Sequence, residues 1–130
     1  MRKWLWRIIY MIYPPFLRVL ECCQIHRKRQ DFHLGFLNNN NNPLTDIKKI
    51  LLKQGFEDAI LAWKDPGEIL SMRKIDKKIF QYHLRIFADD EVRGHYEYTS
   101  EGNIWGHITE KRFEPAQGYF EHLLKLYIKK

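Results

Sequence analysis

Between residues 79 and 88 apolar and polar positions alternate, with Phe80, Tyr82, Leu84, Ile86 and Ala88 on one face and Gln81, His83, Arg85 and Phe87 on the other. A period of two is that of a β-strand, whose successive side chains point to opposite sides of a sheet. Residues 92–99 split the same way, into Val92, Gly94, Tyr96 and Tyr98 against Arg93, His95, Glu97 and Thr99. A three-residue loop, Asp89-Asp90-Glu91, pairs Leu84 with Tyr96 and Tyr82 with Tyr98. A two-residue loop would set Leu84 opposite His95 and mix the faces. Ser100-Glu101-Gly102 reads as a second tight turn, its glycine supplying the φ > 0 that a type I turn with a bulge requires. The strand that follows then sets Tyr98 opposite Ile104, Glu97 opposite Trp105 and His95 opposite His107.

The same reading extends in both directions. Residues 56–63 and 68–75 flank Lys64-Asp65-Pro66-Gly67, a turn with proline pre-set for its corner and glycine to close it. The second of these strands runs into the central one, so that Leu70 and Met72 meet Leu84 and Tyr82 while Ser71 and Arg73 join the polar face. Thr45 is placed to cap a helix with Asp46 in its first turn, Ile47, Ile50 and Leu51 as its apolar stripe and Gly55 as its stop. Glu114-Pro115 opens a second helix, in which Phe120, Leu123, Leu124 and Tyr127 recur at i, i+3, i+4 and i+7. The expected class is α+β: a two-layer, antiparallel five-strand meander with helices at 45–54 and 115–128 on its Tyr/Leu/Ile face. Gly94 and Gly106 on that face let a helix approach closely. The histidine face is left to solvent, to the N-terminal residues or to a ligand.

Charge divides the chain. Of the formal net +6, residues 1–42 carry +5, from seven Lys/Arg against Glu21 and Asp31, which leaves +1 for residues 43–130. Five consecutive asparagines, 38–42, offer no apolar surface to bury and read as a linker. The expected organisation is a basic aromatic, partly helical extension at 1–37, the linker at 38–42 and an α+β domain at 43–130. In the extension Arg2, Lys3, Trp4, Trp6 and Arg7 suit an arm that meets a protein partner or an anionic membrane surface, with nucleic acid as a further polyanionic partner. The uncharged run at 8–17 is too short to span a bilayer and Pro14-Pro15 interrupts it. Cys22 and Cys23 are adjacent and supply no disulfide framework, which points to a reducing, cytoplasmic setting, with peripheral membrane attachment through the arm as the variant.

The chemistry concentrates on the polar sheet face. The register above lines up His83, Glu97 and Trp105 in one row and Arg85, His95 and His107 in the next, with neighbouring Cβ atoms about 5 Å apart. As acid-base machinery, Glu97 and His83 could exchange a proton beside His95 while Arg85 stabilises developing negative charge, as in a small hydrolase or nuclease. As a metal site, His95, His107 and Glu97 form a two-histidine, one-carboxylate set in which His83 could replace Glu97. As a binding surface, Trp105 and Phe87 place large apolar groups among His107, Arg93 and Arg73. No phosphate loop, dinucleotide glycine pattern, nucleophile elbow or His-Glu-x-x-His run is present, and no cofactor is expected. The leading expectation is therefore a small intracellular interaction or regulatory module, binding a protein partner through this face and the arm.

Overall fold

The computed structural model describes residues 32–38, 43–59 and 65–130, with single helical positions at 4, 5, 7, 8, 11, 12 and 19. Among these, seven strands form one antiparallel sheet: β1 (His33–Leu37), β2 (Glu57–Asp58), β3 (Glu68–Asp76), β4 (Phe80–Phe87), β5 (Glu91–Tyr98), β6 (Phe113–Glu114) and β7 (Ile128–Lys129). Three helices accompany them, α1 (Pro43–Lys53), α2 (Ile104–Ile108) and α3 (Gln117–Leu124). Strands β2 to β6 follow one another in space as in sequence, so the α+β class and the meander order hold. The other half of β5 pairs with β1, which in turn pairs with β7.

The central hairpins keep the expected faces with a different register. Leu84 pairs with Gly94 and Tyr82 with Tyr96, while Met72 pairs with Leu84 and Leu70 with Ile86. Each is a slip of two residues, and an even slip preserves which side chains share a face. The cause lies in the loops. Asp90 N–H bonds Phe87 O at 3.0 Å and Asp90 itself takes φ 67°, so the β4–β5 loop is Ala88-Asp89-Asp90. Aspartate tolerates this left-handed position, and Asp89 Oδ1 accepts Glu91 N–H at 3.1 Å. Between β3 and β4, Lys77 and Lys78 both adopt positive φ, as the two central residues of a hairpin turn do.

The strand expected at 104–107 is a helix. Asn103 Oδ1 accepts Gly106 N–H at 2.8 Å, which caps the first turn of α2 and removes Trp105 and His107 from the sheet register. Gly102 does not take φ > 0; what its missing side chain provides is space, since a Cβ there would lie 2.6 Å from Ile79 Cα. The meander resumes only at β6, where Phe113 rather than Trp105 sits opposite Glu97.

A second correction concerns the start of the fold. Residues 33–37, expected within the extension, form β1, and Leu34 and Leu37 are buried in the core. A bulge between His33 and Gly35 breaks their alternation. Of the asparagine run, Asn38 donates its N–H to Tyr127 O at 2.8 Å, and residues 39–42 lie outside the described ones. So do residues 60–63 of the expected 56–63 strand, in whose described part, 56–59, the strand is β2.

The core covers one face. Ile47 and Leu51 of α1 and Phe120 and Leu124 of α3 are fully buried with Met72, Leu84, Ile86 and Val92. Helix α1 begins at Pro43, two residues before Thr45, and closes as expected at Gly55: Gly55 N–H bonds Leu52 O and Phe56 N–H bonds Leu51 O, at 3.1 and 3.0 Å. Phe120 lies over Gly94, where a Cβ would come within 2.7 Å of its ring. Helix α3 stops at Leu124, four residues short of the expected end, because the chain turns there to pair β7 with Phe36 and Leu37.

Candidate functional site

Strand pairing places His83 of β4 directly opposite His95 of β5, with their rings 5.0 Å apart and edge to face. One step along, Gln81 is opposite Glu97; one step the other way, Arg85 is opposite Arg93. The expected rows are thus re-dealt, but His83, His95 and Glu97 still converge. One ligand-capable atom from each lies within 4.8 Å of the other two. His107 reaches the same carboxylate from α2, with Nδ1 3.4 Å from Glu97 Oε2 and 2.8 Å from Tyr98 O.

This face is not solvated. His83, His95, Glu97 and Arg85 are 2, 0, 1 and 4% exposed, so both sides of β4 and β5 are interior. Burying polar groups requires partners at close range. Ser71 Oγ lies 2.8 Å from His83 Nε2, Gln81 Nε2 donates to Glu97 Oε1 at 2.9 Å, and His95 Nε2 is 3.1 Å from the same oxygen. The Phe113 ring lies against His95, tilted by 30° with centroids 4.3 Å apart. The network surfaces at Arg73, which donates to Gln81 at 3.4 Å, to Glu57 at 3.1 Å and to Glu101 at 2.8 Å.

Arg85 points into a different cluster. Its Nε donates to Glu68 Oε2 at 2.9 Å and its Nη2 to both Glu68 and Asp65, so two carboxylates hold the guanidinium. Phe87 is buried with the guanidinium carbons of Arg85 and Arg93 at 5.2 and 4.6 Å from its ring centroid. Arg93 also bonds Glu91 at 2.6 Å, and this hydrogen bond, with a second from His33, holds the Glu91 carboxyl below the usual range against the opposing effect of burial. On the apolar face, burial and then the 2.7 Å bond to Asp76 push the Tyr96 hydroxyl upward. Trp105 is separated from all of these, 63% exposed on α2. Sequence reasoning missed Gln81, Ser71 and Phe113 as neighbours of the histidines; Gln81 and Ser71 were on the right face, and Phe113 was hidden by the unforeseen helix α2.

In the N-terminal stretch Trp4, Leu5, Arg7, Ile8, Met11, Ile12 and Val19 are helical and exposed. Arg2, Lys3 and Trp6 lie outside the described residues, as do Cys22 and Cys23. No helix among the described residues is long and apolar enough to cross a membrane. None of the family models, curated proteins or solved structures compared with the chain matches it.

Proposed function

We propose that the chain is a non-enzymatic binding module that attaches to an anionic membrane surface through its N-terminal stretch. The observation that carries this reading is the joint exposure of Trp4, Leu5, Ile8, Met11 and Ile12 on helical positions. Their sequence spacing, i, i+1, i+4, i+7 and i+8, is the spacing of one apolar helix face, and Arg7 supplies a cation beside it. A helix with such an arc lies in the headgroup region, its apolar side in the acyl boundary and the Trp4 indole at the interface. Arg2, Lys3 and Arg7 each add about 1 kcal/mol of salt-screened attraction to anionic lipid. The hydrolase reading has less support, because His83, His95 and Glu97 are closed off from substrate and Arg85 is committed to Glu68 and Asp65.

The test is vesicle sedimentation with the full chain. Binding to phosphatidylserine-containing vesicles is expected, with a blue shift of tryptophan emission that Trp4→Phe reduces, and with at least tenfold weakening in Ile8→Asp or on raising salt from about 0.05 to 0.5 M. Equal binding to neutral and acidic vesicles would overturn the anionic part of this reading, and binding to neither would overturn the lipid reading and leave the same apolar arc to a protein partner.

A further inference from the structure

The buried histidine cluster has no role in that attachment, and its composition points elsewhere. We infer that His83, His95 and Glu97 form an internal site for a divalent first-row transition ion. Three observations on the molecule converge on this.

The first is geometry. Two imidazoles and one carboxylate, carried by adjacent strands, bring one ligand-capable atom each within 4.8 Å of the others. Tetrahedral bonds of about 2.1 Å separate ligand atoms by about 3.4 Å, so side-chain rotations on the order of 1 Å complete the site. The second is ligand type. Nitrogen with one oxygen suits Zn²⁺, Co²⁺, Ni²⁺ or Fe²⁺, whereas Mg²⁺ and Ca²⁺ take oxygen shells. A carboxylate 1% exposed among imidazoles is also a place where positive charge is stabilised, and a dication supplies it without protonating either histidine.

The third is the outer layer. Metal-binding histidines characteristically use their second ring nitrogen in a hydrogen bond, and ligating carboxylates are themselves hydrogen-bonded. Here Ser71 Oγ lies 2.8 Å from His83 Nε2, and Gln81 donates to Glu97 at 2.9 Å while Arg73 donates to Gln81 in turn. His83 and Glu97 are thus oriented from outside, and the burial of all three ligands means that the ion is enclosed as the chain folds.

The inference stands independently of membrane attachment and is tested without lipid. Full-length protein is unfolded in chelator, refolded with a stoichiometric amount of Co²⁺ and desalted. The expected result is retained Co²⁺, a visible ligand-field band without the intense thiolate charge transfer that Cys22 and Cys23 would produce, a raised Tm, and bleaching by Zn²⁺. Glu97→Gln should bind Co²⁺ at least tenfold more weakly. Ser71→Ala, which touches only the outer nitrogen of His83 and leaves every ligand in place, should weaken binding about 10–100-fold while the protein stays folded. If Glu97→Gln does not fold, Ser71→Ala decides alone. A folded wild-type protein without the band, a band of thiolate character, or unchanged affinity in Ser71→Ala would overturn the site.

Discussion

On one face of β4 and β5, Leu84 and Val92 are buried in a cluster completed by Phe120 and Leu34; on the other, His83, Arg85, His95 and Glu97 are as far from water but are held by hydrogen bonds and ion pairs. The apolar face is stabilised by area and fit, which are non-directional and accept small shifts. The polar face is directional. Each of its groups gains little net free energy from its bond but costs much when the partner is lost, because a desolvated polar atom remains behind. Alternation along a strand thus assigns side chains to faces without saying which face meets water.

The largest effect separating the two comes from the apolar side. Phe120→Ala removes a fully buried ring that fits over Gly94 and should cost about 3–5 kcal/mol in urea unfolding, through lost transfer energy and a residual cavity. A loss below about 1.5 kcal/mol would mean that α3 is not seated on Gly94. On the polar side Arg85→Ala should cost about 3 kcal/mol, since it strands the carboxylate of Glu68. The double variant Arg85→Met, Glu68→Leu removes both charges and should recover most of that loss. Phe120→Ala admits no such rescue by a second deletion. A double variant as unstable as Arg85→Ala would show that the cluster is held by attraction rather than by the cost of stranding one charge.

What was legible in the sequence follows the same division. Period two assigned every central residue to its face, and that assignment survived a two-residue slip in both hairpins because the parity of the pairing was right. Gly55 and the Ile47/Leu51 stripe marked α1, and Phe120 and Leu124 marked α3, since caps and i, i+4 spacing are local signals. β1 was not legible: its bulge between His33 and Gly35 spoils the alternation, and its pairing with β5 and β7 is decided by residues far along the chain. α2 was missed because Asn103 reads equally as a turn residue and as a helix cap, and its choice moved Trp105 and His107 off the sheet. The convergence of His83, His95 and Glu97 was legible from face alone. Its burial was not, because polar residues on a strand are ordinarily solvated and their cover is supplied by tertiary packing.

The smallest effect lies at the rim of the polar face, where the comparison passes from interior to surface. Glu91 bonds Arg93 at 2.6 Å and His33 at 2.9 Å, joining β5 to β1. Because the Arg93 bond, more than any other influence, holds its carboxyl below the ordinary glutamate range, the folded state binds this proton less tightly than the unfolded chain does. The stabilisation it contributes is therefore complete above the unfolded glutamate value and is lost as pH falls through the lowered, folded one. Glu91→Gln should leave the fold intact, cost less than about 1 kcal/mol near neutral pH because the pair is partly solvated, and flatten the acid limb of the stability curve. Urea midpoints of both proteins at neutral pH and across the acid limb measure this, and the gap between them should shrink as pH falls. A gap that widens toward acid would reverse the sign of the linkage and show that the Arg93 bond does not stabilise the Glu91 carboxylate.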